Sequence, residues 1–181
     1  MGKQLKMKNA ELKLISELMK NSRRSDRDLA KAIGVSQPTV SRLIKMLEKE
    51  GIIKEYTMIP DFCKLGYEIL AFTFFNLEKE PNAEEIEKAR EVFQSLSQNR
   101  LLEVVMLERG IGLGYYGVII SFHEDYSSFL KLRETIVQFD FWELSKMESF
   151  IICLVDENRY MPLTFASLAK HLLIVKRGDK L

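Results

Sequence analysis

Gly112, Gly114 and Gly117, in the run ERGIGLGYYGVIIS, have the G-x-G-x-x-G spacing with which dinucleotide-binding loops bring the backbone up to a pyrophosphate. That chemistry needs a helix directly behind the third glycine, because the unpaired N–H groups of its first turn hold the phosphates. Here VIISF follows, a β-branched and aromatic run that reads as a strand, so the spacing has no phosphate site to serve. The run is read instead as a hairpin turn, where Gly110, Gly112 and Gly114 allow backbone angles that other residues avoid. Other reactive patterns are missing from the sequence. P-loop and nucleophile-elbow spacings do not occur, Cys63 and Cys153 form no C-x-x-C, and His123 and His171 are the only histidines. No metal and no cofactor is therefore expected. Glu84, Glu85 and Glu87 read as charges that favour a helix N-terminus rather than as catalytic carboxylates.

A second set of residues suits a different chemistry. In QPTVSRLIKMLEKE the residues Val40, Leu43, Ile44 and Leu47 make an inward stripe, which leaves Gln37, Thr39, Ser41, Arg42 and Lys45 on the outward side. A helix in plain solvent mixes Glu with Lys, yet the acids here, Glu48 and Glu50, come only after the outward N-terminal turns. Such a face suits a helix whose first turns enter the major groove of double-stranded DNA. Gln37 and Arg42 would reach base edges, and Thr39, Ser41 and Lys45 would touch edges or phosphates, with Ser36 at the head of the same helix. Arg23, Arg24 and Arg27 would meet the DNA backbone. The alternative is a charged face of an ordinary three-helix bundle, with the three arginines as solvated charges at a turn.

Those side chains have to be held by a small helical scaffold. Leu12, Ile15, Leu18 and Met19 recur at helical spacing over 10–19, and NSRRS breaks the pattern. Ser25 and Asp28 form the S-x-x-D of a capping box ahead of DRDLAKAI, in which Leu29, Ala30 and Ile33 face inward. Gly34 stands where a left-handed residue ends a helix, Ser36 caps the next one, and Pro38 lies in its first turn. Only GVS joins the two, the tight connection of a helix-turn-helix. After Gly51, IIKEYTMIP reads as the two short strands of a wing, with Lys54 as its phosphate contact. Residues 1–60 hold 13 Lys+Arg against 7 Asp+Glu, a net of +6, while 61–181 hold 14 against 19, a net of −5. A basic half beside an acidic one suggests a polyanion partner for the first alone.

Beyond a linker at 61–66, residues 67–156 alternate strand and helix patterns. YEILAFTFFNL reads as a strand, PNAEEIEKAREVFQSLSQN as an amphipathic helix, LLEVVML and YYGVIISF as a hairpin, EDYSSFLKLRETIVQF as a second helix and ELSKMESFIICLV as a last strand. The order βαββαβ gives a ferredoxin-like antiparallel sheet covered on one side by two helices, so the expected class is α+β. Two helices leave one face open, yet Leu70, Phe72 and Phe74 make that side of the first strand apolar. A homodimer, or a higher even oligomer, joined face to face through these residues is one solution. Cover from a helical tail over 157–181 is the other, since it carries Leu163, Leu168, Leu172 and Ile174.

The stretch LKLISELMKNSRRSDRDLAKAIGVSQPTVSRLIKMLEKEGIIKEYTMIPDFCKLGY resembles the N-terminal domain of the leucine-responsive/asparagine-operon (Lrp/AsnC) regulators, down to the LEKEGII exit of the third helix and the KLGY entry to the second domain. The resemblance implies a sequence-specific DNA-binding transcription regulator rather than an enzyme, with residues 1–60 as a winged helix-turn-helix domain. It further implies dimerisation through the sheet of 67–156 and an effector such as an amino acid near the hairpin, which here means Gly110, Gly112, Gly114, Tyr115 and Tyr116. The second domain departs from the family pattern. A Gly followed shortly by Asp is usual where this chain has Gly114, Tyr115, Tyr116 and Gly117, so no acid stands ready for an amino group, and FDFWELSKMES lacks the usual Gly-Val. Sirohaem decarboxylases share the two-domain plan, and a tetrapyrrole site of that kind would have to use His123, His171, Arg109 and Arg133. The apolar runs are too short to cross a bilayer and the first residues lack an apolar signal core, so no membrane partner and a cytoplasmic location are expected.

Overall fold

The computed structural model describes residues 7–98, 103–139, 141–158 and 160–175. Its elements run α1 (Asn9–Lys20), α2 (Asp26–Ile33), α3 (Gln37–Lys49), β1 (Ile69–Leu77), α4 (Ala83–Gln98), β2 (Val104–Arg109), β3 (Gly117–His123), α5 (Tyr126–Val137), β4 (Leu144–Cys153) and α6 (Ala166–Val175). The chain divides into two compact units: one joins residues up to Ile59 with those from Tyr160, and the other runs from Pro60 to Arg159.

In the first unit, the Ser25 hydroxyl accepts from the Asp28 amide at 3.2 Å and donates to the Asp28 carboxylate at 2.6 Å, which fixes the head of α2. Gly34, at φ +76°, closes that helix and sends its N–H to the Ala30 carbonyl at 3.0 Å. Leu14, Leu29, Ala30, Ile33, Val40 and Leu47 form the buried core. Two features differ from the sequence reading. On α1, Ser16 is fully buried although it lies outside the expected stripe, because α6 packs along that side, and Leu14, also outside the stripe, turns into the core with Leu29 and Val40. The Ser16 hydroxyl donates to the Ala169 carbonyl at 2.8 Å, and both residues are small enough to let the helices meet closely. The tail helix, offered by the sequence as cover for the sheet, therefore packs on α1 and completes the helical unit.

The second difference is the wing. No strand forms among residues 52–60. The Ile52 and Ile53 amides donate to the Leu47 carbonyl, at 2.9 and 3.2 Å, and their side chains pack on the helical core. With the apolar pair spent on closing α3, the stretch from Lys54 to Ile59 is left as a single exposed segment with no partner strand among the described residues.

The second unit is a four-stranded sheet in the order β2-β3-β1-β4, with every neighbouring pair antiparallel. Ala71, Thr73 and Phe75 of β1 are buried beneath the helices with Ile119, Leu132 and Ile136. Gly117 serves packing rather than a turn: a Cβ there would lie 2.6 Å from Phe75 Cζ and 2.9 Å from the Glu108 carbonyl oxygen. The segment expected as a linker is docked onto this unit. A 3-10 turn at Cys63–Leu65 places Phe62 in a stack on Phe122 with centroids 3.9 Å apart, and the Cys63 thiol donates to the Leu154 carbonyl at 2.9 Å. Among the described residues no helix is long and apolar enough to cross a membrane.

Candidate nucleic-acid interface

The short turn between α2 and α3 and the Pro38-led start of α3 set the first turns of α3 at the surface. Gln37, Arg42 and Lys45 are exposed along one side of the helix and make no ion pair with any of the described residues. Ser36 has the backbone angles of an N-cap, but its hydroxyl bonds the Thr39 hydroxyl at 2.8 Å rather than a backbone N–H. Thr39 is thus engaged within its own turn. Ser41 is half-buried and donates to the Asp26 carboxylate, a cross-brace between the two helices. Both hydroxyls steady the helix that carries Gln37, Arg42 and Lys45, and they are not the free groups the sequence suggested.

The arginines before and within α2 also separate. Arg23 and Arg27 are exposed. Arg24 pairs with Glu17 of α1 and donates to the Asp28 carbonyl at 3.2 Å, so its charge is committed to the fold. Lys20 first and then Arg24 hold the Glu17 carboxyl below the usual range, against the opposing effect of its partial burial. Lys54 is exposed beyond α3. No sequence pattern marks Tyr56, whose hydroxyl donates to Glu48 Oε1 at 2.9 Å and ties the exposed segment back to α3. Partial burial and the adjacent Glu48 push the Tyr56 pKa up to about 12, so it stays a donor. Two residues eight apart in a strand-like run and a helix leave no periodic mark by which to find such a pair.

In the second unit, the hairpin between β2 and β3 turns through Gly112 (φ +125°), Leu113 (φ +55°) and Gly114 (φ +74°). Asn76 braces it from β1, accepting from the Tyr116 amide at 2.6 Å and donating to the Gly114 carbonyl at 2.7 Å. A cleft of about 360 Å³ lies against Gly114, Tyr115 and Tyr116. Gly110 and Gly112 shape the turn without lining it. Glu78, Lys79 and Glu80 come in from the end of β1, and Glu80 pairs with Arg109 at 2.6 Å. The acid missing from the hairpin is thereby present in space.

The open face of the sheet carries Leu70, Phe72 and Phe74, opposite Ile152, Phe150 and Glu148 on β4. Phe150 is 64% exposed. Tyr115 donates to Glu148, and Lys146 lies 3.0 Å from that carboxylate, which gives one corner of the face a polar rim.

The residues named for a tetrapyrrole site are each placed separately, three in this unit and one in the other. His123 is fully buried, with Nδ1 2.8 Å from Glu103 and Nε2 2.8 Å from the Ser121 hydroxyl, so both ring nitrogens are occupied. Burial lowers its pKa, with Glu103 working in the opposite direction. Arg133 donates to the Met147 carbonyl at 3.2 Å, Arg109 borders the hairpin cleft, and His171 is exposed on α6 of the other unit.

Residues 7–54 match the winged helix-turn-helix DNA-binding family. Over 153 residues, covering 84% of this chain and 94% of the other, the sequence is 30% identical to an uncharacterized HTH-type transcriptional regulator of Pyrococcus abyssi. An AsnC family transcriptional regulator from Agrobacterium tumefaciens shares the fold, with a TM-score of 0.68 at 20% identity over 90% of this chain and 99% of that one. A transcriptional regulator of Neisseria meningitidis, solved as its complex with L-Met, does so with a TM-score of 0.65 at 18% identity over 90% and 99%. With a helix-turn-helix ahead of a βαββαβ sheet and a relative matched over nearly its whole length, the chain belongs to the Lrp/AsnC family of HTH-type transcriptional regulators.

Proposed function

We propose that the protein reads specific sites on double-stranded DNA with α3 and does so as a homodimer. The observation that carries this is the exposed face of α3, where Gln37, Arg42 and Lys45 stand free while Ser41 and Thr39 hold the helix in place. Arg42 has the forked donor set that pairs with a guanine edge, Gln37 the matched donor and acceptor for adenine, and Lys45 and Arg23 the charge for phosphates. A single reader spans too few base pairs for useful specificity, and pairing two of them is the direct remedy. The apolar face of Leu70, Phe72 and Phe74 supplies a surface for that pairing, since an exposed patch of this kind marks an interaction site.

Genomic fragments selected by the purified protein would give the half-site and its spacing. Arg42→Ala should then weaken specific binding by about 1–3 kcal/mol in a mobility-shift titration while leaving thermal stability nearly unchanged. Equal affinity for the selected site would remove α3 from the reading role.

An effector at the hairpin is a further part of this reading. The cleft beside Tyr115 and Tyr116 offers Arg109 and Lys79 to a carboxylate and Glu78 and Glu80 to an ammonium group, the two charges of an amino acid. The L-Met complex of the Neisseria regulator supports that ligand class. Titration with L-methionine, followed by mobility shift, tests whether DNA affinity responds.

A further inference from the structure

A second cleft, of about 410 Å³, lies on the helix side of the sheet between α4 and β2, and it differs in chemistry from the hairpin cleft. Its walls are Phe75, Phe93, Tyr116 and Trp142, with Ala89 the small residue that leaves room on α4. Trp142 stacks on Phe75 with centroids 5.2 Å apart, and its indole N–H is buried yet donates to no acceptor among the described residues. A buried donor of this kind calls for a partner. An oxygen, or the face of an aryl ring, would satisfy it. At the border stands Arg109, whose Cζ lies 5.2 Å from the Tyr116 centroid. Arg109 is held there by Glu80, but both side chains are more than 60% exposed, and a pair so exposed contributes little, so exchange of Glu80 for an entering carboxylate costs little. Glu108 also borders the cleft, but it stands opposite Val118, which stands opposite Phe74, on the far face of the sheet. The cleft therefore receives its backbone and not its carboxylate, and among the described residues its lining supplies no acid for an ammonium group.

We infer that this cleft binds a small arylalkyl carboxylic acid without an amino group, its carboxylate on Arg109 and its ring among Phe75, Phe93 and Trp142. The site goes beyond the hairpin reading, because its ligand class is set by the missing acid and by the aromatic walls. Trp142 is the only tryptophan in the chain, so its emission reports occupancy directly. The test titrates the full-length protein, without DNA, with 4-phenylbutyrate, 4-phenylbutanol and 2-amino-4-phenylbutyrate. A saturable change in Trp142 emission is expected for the acid, with the alcohol and the amino acid weaker by roughly tenfold or more. Arg109→Gln, at an exposed position, should bring the acid to the level of the alcohol, and Ala89→Phe should abolish binding of both. No saturable response to the acid would overturn the site. So would an Arg109→Gln protein whose midpoint for the acid stays within about twofold of the parent, since a charge-assisted contact contributes more than that. If Ala89→Phe unfolds, as circular dichroism would show, the Arg109→Gln comparison decides alone. DNA affinity measured in parallel keeps failure of this site distinct from failure of the DNA-reading assignment.

Discussion

Arg24 and Arg42 show how far a residue's neighbours decide its work. Both are arginines in polar stretches, and both were legible as cations for a polyanion. The structure leaves Arg42 exposed and engages Arg24, in the turn before α2, with Glu17, which lies seven residues back on α1. Charge type is written in sequence, whereas an ion pair between elements depends on how those elements pack. His123 makes the same point. A lone histidine at a strand end suggests a surface residue, but β3 turns it inward between Glu103 and Ser121. Since burial lowers its pKa below 6.5, the unfolded chain takes up this proton first as the pH falls. The stability tied to neutral His123 is therefore complete above the unfolded value of 6.5 and is lost as the pH drops from there through the lower folded pKa. Urea denaturation of the parent and of His123→Gln across pH 7 to 5 should show a decline in the parent that the variant largely lacks. An equal decline in both would assign the pH dependence to other groups.

At the scale of elements, caps and turns were the readable part. The Ser25 box, Gly34, the helix-turn-helix join and the βαββαβ order all follow from local pattern, because each rests on residues within a few positions of one another. The wing and the tail were not readable in that way. Ile52 and Ile53 are good strand formers, and only the Leu47 carbonyl and the nearby core show that they close α3 instead. Ser16 falls outside the stripe of α1 because its partner, α6, comes more than 150 residues later. Ala169, fully buried against α1, is the position to test. Ala169→Leu should destabilise the helical unit by about 1–3 kcal/mol through overpacking, read as a lower urea midpoint. A fully stable variant would mean that α6 does not hold this place in solution.

For the whole molecule, the division of labour follows the charge. The basic unit carries the residues proposed to face DNA, and the acidic one carries a sheet with an apolar face. Phe72 lies near the centre of that face, between Ile120 and Phe150. Phe72→Glu should convert dimers to monomers by light scattering, and it should weaken DNA binding although no DNA-facing residue has changed. Dimers that persist would move the interface to another surface. Sequence could show that the face was apolar and that two helices would leave it open, but not that the tail, one of its two candidate covers, would pack on α1.

The return of α6 to α1 also sets an order of events as the chain is made. Domains usually fold from the N-terminus as they emerge from the ribosome. Here the residues of the sheet unit, Pro60–Arg159, are all synthesised before α6, while the helical unit that begins the chain lacks one of its four helices until the residues of Ala166–Val175 have emerged. A nascent chain can therefore complete its sheet, and offer Leu70, Phe72 and Phe74 to a second copy, before its DNA reader is finished. The proposed pairing is thus available earlier than DNA reading, and an interrupted chain that stops short of α6 keeps the apolar face of its sheet while Ser16 stays uncovered.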